Sequence, residues 1–355
     1  MSIWMTSTRI ASLAVIFLAS CAAAGTSAVE PKGPLPAFQK GIAYTGYWSG
    51  AYEGEEPRLA MRELAAANAR WVQTLVTGYQ DTIKSTVISR TGQETPTDSS
   101  LSAIIRYAKS LGLEVLLKPH VDLLREPSRW RGEIGIGFME SDWAIWFASY
   151  REFIVHYAAM AENLGADMFC VGCELDSTVG RETDWRQTIA AVRAVYKGRL
   201  IYADDQVETK PEAVRWWDAL DYIGMDAYPT LTEEIHPAVG DFAAGWSRYL
   251  AKLRALARRW GKSLILTEIG YRSIQGGAQN PWDWQRDGPV DLEVQANAYE
   301  AAFRAIQGED WLRGMYWWQW PPDPDEDGAA DKGYSPHGKT AEKVLKTWYK
   351  RAFLR

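Results

Sequence analysis

The chain has 355 residues, 47% of them hydrophobic and 24% charged, with a formal net charge of −6. That length suits one large domain or two smaller ones, and the composition is that of an ordinary globular protein, which excludes a disordered chain. The acidic balance, with no block of Lys or Arg outside helix surfaces, excludes a phosphate backbone as partner. What stands out is 18 Trp beside 17 Tyr, more ring surface than a core of this size requires. Flat CH-rich faces suit stacking on sugar rings, but large aromatics also fill helix and barrel cores by default, and only their placement separates the two readings.

At the start of the chain Arg9 precedes an apolar run, Ile10 to Leu18, which is too short to span a bilayer and is followed by the small residues Ala19 and Ser20. This is the layout of an export signal over residues 1–20. The tetrad Leu18-Ala19-Ser20-Cys21 resembles the bacterial lipobox, which implies lipidation of Cys21 and a place in the cell envelope, the lipid anchor being the only contact with a membrane. Cleavage at a small-residue site such as Ala22-Ala23-Ala24 is the alternative, and it would leave the protein periplasmic or secreted. Removal of residues 1–20 takes away one Arg and no acid. Residues 21–39, rich in Ala, Gly, Ser and Pro, read as a linker, and 40–355 as the folded domain.

From residue 40 onward short apolar, β-branched runs alternate with amphipathic helical segments, the pattern of a parallel sheet wrapped by helices. The predicted strands are Gly41 to Tyr44, Trp71 to Val76, Glu114 to Lys118, Met168 to Cys173, Leu200 to Ala203, Tyr222 to Asp226, Leu264 to Thr267 and Gly314 to Trp318. Predicted helices between them include Arg58 to Asn68, Leu101 to Ser110, Trp143 to Asn163, Trp185 to Tyr196, Phe242 to Trp260 and Leu292 to Ile306, several of which stop at a Gly. Eight strand-helix units, with no Gly-rich phosphate loop after the first strand, define the fold class as α/β, a single-domain (β/α)8 TIM barrel. Cys170 and Cys173 form a C-x-x-C inside the fourth strand. Three positions apart they are expected on opposite faces, which rules against a disulfide, and no second Cys/His pair completes a zinc set, so both are expected as buried thiols.

In such a barrel the chemistry sits at the C-terminal ends of the strands. Strand three delivers Lys118-Pro119-His120-Val121-Asp122, strand four Glu174-Leu175-Asp176, strand five Asp204-Asp205, and strand six Asp226-Ala227-Tyr228. Strand seven ends in Glu268 and strand eight in Trp317-Trp318-Gln319-Trp320. Glu174 and Glu268, from strands nearly across the barrel, can face each other as the two carboxyl groups that glycosidic cleavage needs. The segments Val171-Gly172-Cys173-Glu174-Leu175 and Leu266-Thr267-Glu268-Ile269-Gly270-Tyr271 resemble the retaining glycosidases of clan GH-A, most closely the β-mannanases of glycoside hydrolase family 113, and the likeness spans roughly residues 40–345.

The resemblance implies that Glu174 is the acid/base and Glu268 the nucleophile, with their carboxyls about 5–5.5 Å apart as in retaining enzymes. It implies further that Tyr228 hydrogen-bonds the nucleophile and that Trp318 or Trp320 is a sugar platform. Many clan members have Asn immediately before the acid/base, where it holds the sugar 2-OH, but this chain has Cys173 there. His120 and Lys118 are candidates to take over that contact, although either could equally pair with a local carboxylate. Asp205 and Asp226 complete the substrate-binding candidates. No cofactor or catalytic metal is implied: His156 lies in a helix, and His236 and His337 lie in loops without a ligand set. Asp323-Pro324-Asp325-Glu326-Asp327-Gly328 resembles the head of a calcium loop, but Tyr334 stands where the bidentate Glu is needed, so it reads as a solvated acidic loop.

The expected partner is a β-linked polysaccharide or oligosaccharide. Residue chemistry alone indicates a retaining β-glycosidase, and the resemblance narrows this to β-1,4-mannan or manno-oligosaccharides. Two alternatives stay open. One is an exo-acting β-mannosidase or β-glucosidase, with the long loops 126–142 and 273–289 closing one end of the cleft. The other is a surface lipoprotein that binds glycans without cutting them.

Overall fold

The structure is a computed structural model, in which residues 37–323 and 328–353 are described. The export signal, Cys21, most of the linker and the centre of the acidic loop therefore lie outside the described residues. Eight strands close in chain order into a parallel barrel. They are β1 (Gln39–Tyr44), β2 (Trp71–Gln80), β3 (Glu114–Leu123), β4 (Met168–Cys173), β5 (Arg199–Asp204), β6 (Tyr222–Ala227), β7 (Leu264–Ile269) and β8 (Leu312–Trp320). The α-helices are α1 (Glu56–Ala66), α2 (Asp98–Ser110), α3 (Glu140–Leu164), α4 (Glu182–Val195), α5 (Ala243–Trp260), α6 (Leu292–Ile306) and α7 (Thr340–Tyr349).

A parallel strand covered on both faces reads as a nearly continuous apolar run, and every residue of β4, β6 and β7 is buried, Asp226, Thr267 and Glu268 near the C-terminal ends of β6 and β7 being the polar exceptions. Their alternation sends one set of side chains into the barrel, among them Trp71, Leu116, Met168, Ile201, Ile265 and Tyr316. The other set packs outward against the helices. Helix limits follow local chemistry. The Thr97 hydroxyl caps α2 by accepting from the Ser100 N–H, while α3 and α5 end at Gly165 and Gly261 in the left-handed conformation (φ 67° and 60°) that glycine adopts without strain.

Three expectations change. Between β5 and β6 the chain makes short 3₁₀ turns at Gln206–Glu208 and Trp217–Ala219 and no α-helix. Bulky rings cover the barrel there: Trp216 stacks on Trp185 at 4.7 Å and meets Tyr202 edge-on at 4.9 Å. The folded domain also begins earlier than residue 40, because Phe38 stacks on Phe353 at 4.4 Å and Gln39 opens β1, where its side chain accepts from the Tyr316 hydroxyl at 2.6 Å. Finally, Cys170 and Cys173 are buried free thiols as expected, but both face the barrel interior. The register of β4 on β5 shifts between them, and that irregularity cancels the alternation that would have put them on opposite faces.

Trp185 joins α3, α4 and β5 through Phe147, Tyr150, Tyr202 and Trp216. Trp185→Ala is expected to lower the free energy of unfolding by about 3–5 kcal/mol, the range for emptying a buried aromatic site, and a urea titration followed by circular dichroism measures it.

Candidate active site

Two-residue periodicity places Lys118 and His120 of β3 on the inward face together. The Lys118 ammonium is fully buried, 2.9 and 3.0 Å from the two oxygens of Asp226 and 2.6 Å from Oε1 of Glu268. Those two carboxylates are brought side by side by the β6–β7 register, in which Asp226 is the partner of Glu268. Burial alone would lower the lysine pKa, but the carboxylates of Asp226 and Glu268 hold it well above its ordinary value. Burial pushes the Glu268 carboxyl up and Asp226 adds to the push, while the Lys118 ammonium and the Tyr228 hydroxyl pull against both. Tyr228, just beyond β6, donates its O–H to Oε2 of Glu268 at 2.8 Å. Both oxygens of Glu268 thus have a donor, and each donor favours the ionised form.

Glu174 is held differently. It follows β4 with φ +51°, a conformation uncommon outside glycine, fixed by its N–H on the Ala203 carbonyl at 2.9 Å and by the next N–H, that of Leu175, on the Tyr202 hydroxyl at 3.1 Å. Backbone strain at a strand end aims the side chain into the cleft and points to a functional residue. The carboxyl is half-buried, and its one side-chain hydrogen-bond partner among the described residues is a long contact from the Trp130 indole N–H at 3.4 Å. Burial raises its pKa, Arg131 opposes the rise, and the negative charge of Glu268 reinforces it. Cys173, the preceding residue, points its thiol at Oδ2 of Asp226 (3.3 Å), and burial keeps that thiol protonated.

Beside Glu174 lies a second acidic group, Asp176, Asp204 and Asp205, with carboxylate oxygens within 4.8 Å of one another. Burial is the main cause of their raised pKa values, about 6 for Asp176, about 8 for Asp204 and about 11 for Asp205. After burial, the charges of Glu174 and Asp176 add to the rise at Asp205, so the structure places this substrate-binding candidate within a cluster of carboxyls. Asp226 and Lys118 are likewise engaged with protein partners. Two further sets have ligand atoms close enough to hold a metal ion, His120–Cys173–Glu268 and Cys173–Glu174–Asp226. In both, the Lys118 ammonium already supplies the positive charge, and the Cys173 donor is a thiol rather than the thiolate that metals bind.

Of the two tryptophans expected as platforms, Trp318 is half-buried and lies parallel to the His120 ring at 6.4 Å. Trp320 is fully buried, its ring 4.6 Å from that of His337, so it packs between β8 and the segment leading to α7 and cannot offer a face to a sugar. The remaining histidines are structural: His156 pairs with Asp98 at 2.8 Å and His236 with Asp291 at 2.7 Å. Sequence reasoning missed Arg131 and Trp130. Their signal was an adjacent Trp-Arg pair in the long segment after β3, where an aromatic and a cation can project over the C-terminal end of the barrel.

The sequence model of Glycoside Hydrolase Family 113 matches residues 43–339. The chain belongs to glycoside hydrolase family 113. The resemblance read from the two Glu segments therefore holds, and the protein is a glycoside hydrolase. Among solved structures it is similar to a GH113 β-1,4-mannanase at 31% identity, over 89% of this chain and 99% of that one, with a TM-score of 0.79. It is equally similar to a GH113 β-mannanase from Alicyclobacillus acidocaldarius at 32% identity, over 89% and 98% of the two chains and with the same TM-score of 0.79. A family 5 mannosidase from Rhizomucor miehei, at 11% identity and a TM-score of 0.62 over 89% and 93% of the two chains, shares the fold. No curated protein matches the chain.

In this family 113 enzyme the acidic group beside Glu174 has a consequence for stability. Asp204 keeps its proton in the folded state up to about pH 8, whereas an unfolded aspartate loses it near the ordinary value of 3.8. The unfolded chain then binds fewer protons, so this group lowers stability as pH rises through that window, by up to about 1.4 kcal/mol per pH unit. Asp204→Asn is expected to flatten the decline and to stabilise the protein at the alkaline end, as read from urea denaturation across the same range.

Proposed function

We propose that the enzyme hydrolyses β-1,4-mannan or manno-oligosaccharides by double displacement with retention of the β configuration. Glu268 attacks the anomeric carbon while Glu174 gives its proton to the departing glycosidic oxygen, which leaves a glycosyl ester on Glu268. Glu174, now ionised, takes a proton from water, and that water displaces Glu268 from the anomeric carbon. The observation that carries this reading is the asymmetry of the two acids. Burial raises the pKa of both, but Glu268 is clamped at both oxygens by Lys118 and Tyr228, donors that favour an ionised nucleophile, while Glu174 is half-buried and held by a single long contact from Trp130, as suits a proton donor.

The choice of mannan rests on the similarity to solved β-1,4-mannanases along nearly their whole length. The exposed tryptophans support a sugar polymer. Trp48, Trp130, Trp282 and Trp284 are 40–65% exposed, and all lie on loops that follow strands β1, β3 and β7, at the catalytic end of the barrel. Rings left in water there suit stacking on successive pyranose faces. The proposal extends to location: the lipobox-like tetrad ending at Cys21 supports export and lipid anchoring in the cell envelope.

The test is hydrolysis of β-1,4-linked manno-, gluco- and xylo-oligosaccharides by the full chain and by the Glu174→Ala and Glu268→Ala variants. Manno-oligosaccharides are expected to be cut best, Glu268→Ala to show no turnover, and Glu174→Ala to lose about 10²- to 10⁴-fold. Proton NMR of the first product should show the β anomer. Preference for another sugar would overturn the substrate, an α product the mechanism, and full activity in either variant the residue roles.

A further inference from the structure

His120 is 2% exposed, and its Nε2 has no hydrogen-bond partner among the described residues although it lies 3.9 Å from Oε1 of Glu268. An unpaired buried polar atom beside a reactive carboxylate marks a position that a ligand group can complete. The other ring nitrogen decides what Nε2 can offer. Nδ1 lies 2.7 Å from Nη1 of Arg131. A guanidinium carries donors and no acceptor, so Nδ1 must accept, and a neutral imidazole that accepts at Nδ1 carries its proton on Nε2. Arg131 is itself oriented by Oδ2 of Asp122, 2.8 Å from its other terminal nitrogen.

The groups facing the ring favour the neutral form. Lys118 stands two residues away on β3, Arg131 projects from the following loop, Cys173 on β4 is an uncharged thiol, and Trp318 on β8 covers the ring face. Glu268 on β7 and Asp122, beyond Arg131, are the opposing charges. Burial first, then the charges of Arg131 and Lys118, hold the His120 pKa well below its ordinary value.

The other donors around Glu268 are committed. Lys118 serves both oxygens of Asp226 and one of Glu268, Tyr228 serves the second oxygen of Glu268, and the Cys173 thiol is directed at Asp226. We propose that Arg131 is a positioning residue that locks His120 as the neutral Nε2–H tautomer, and so presents an uncharged donor to a hydroxyl of the sugar ring seated over Glu268. An imidazolium in the same place would pair with Glu268 and blunt its attack. A neutral Nδ1–H ring would meet the substrate with an acceptor and leave the guanidinium facing a proton. The sugar contact rests on Glu268 being the attacking group, but the tautomer does not depend on any substrate.

Two-bond ¹H–¹⁵N spectra of the histidine-labelled full chain read the tautomer directly. The expected result for the unmodified enzyme is a His120 ring with its proton on Nε2 that does not titrate between about pH 5 and pH 8, where an ordinary histidine would. In Arg131→Met the ring is expected to titrate, and kcat on β-1,4-mannohexaose is expected to fall about tenfold, the worth of one hydrogen bond in the transition state, with the loss greatest on the acid side of the pH profile and KM nearly unchanged. Arg131→Lys, which keeps both a charge and a donor, should restore the tautomer and most of kcat. A proton on Nδ1 or an ordinary titration in the unmodified enzyme would overturn the proposal without any variant having to fold, as would an unchanged pH profile in Arg131→Met. If no oligosaccharide is cut, the function proposed above fails, while the spectra still decide the tautomer.

Discussion

The active site is organised around one buried positive charge. Two carboxylates from adjacent strands, Asp226 and Glu268, stand side by side in the barrel register, and a low-dielectric interior does not hold two such anions without compensation. Lys118 supplies it from β3, with no solvent contact and with hydrogen bonds to three carboxylate oxygens. Because β3 runs on to Leu123, the same strand that delivers the ammonium also delivers His120 two residues later, on the same face. The ammonium therefore opposes the rise in the Glu268 pKa that burial and Asp226 cause and, with Arg131, surrounds His120 with positive charge.

From that centre the environment diverges across the barrel. Toward β7 the surroundings are donors, the ammonium of Lys118 and the hydroxyl of Tyr228, and they favour an anion. Toward β4 and β5 they are acids, Glu174 beside Asp176, Asp204 and Asp205, and like charges in a buried cluster favour retained protons. One barrel end thus holds one carboxylate among donors that favour its charge and one carboxyl among acids that favour its proton, the asymmetry that the proposed displacement uses. The aromatic surplus divides in a matching way. Trp146, Trp185, Trp216 and Trp317 fill the shell between strands and helices, while Trp48, Trp130, Trp282 and Trp284 stay in water on the loops above the acids.

Much of this was legible in the sequence because it rests on local periodicity. Apolar runs separated by amphipathic segments located all eight strands, and the rule that parallel barrels present chemistry at strand ends singled out Glu174, Glu268, Lys118, His120, Asp226 and Tyr228, which the structure gathers at one end. Family membership, shown by the match over residues 43–339, agrees with the resemblance read from the residues around the two glutamates.

What only the tertiary structure decided depends on relations between distant segments. A register shift between β4 and β5 turned Cys170 and Cys173 to the same side, against the alternation that a single strand implies. Packing against His337 withdrew Trp320 from the cleft, though it stands two residues from Trp318 in an equally aromatic run. Between β5 and β6 the chain makes 3₁₀ turns, beside which Trp216 stacks on Trp185. Arg131, in a loop without periodicity, gained its meaning from meeting His120 and Asp122. Strand and helix periods are properties of neighbouring residues and are written along the chain, whereas the protonation state of a buried group depends on the charges and dipoles that the closed barrel brings within a few ångströms of it.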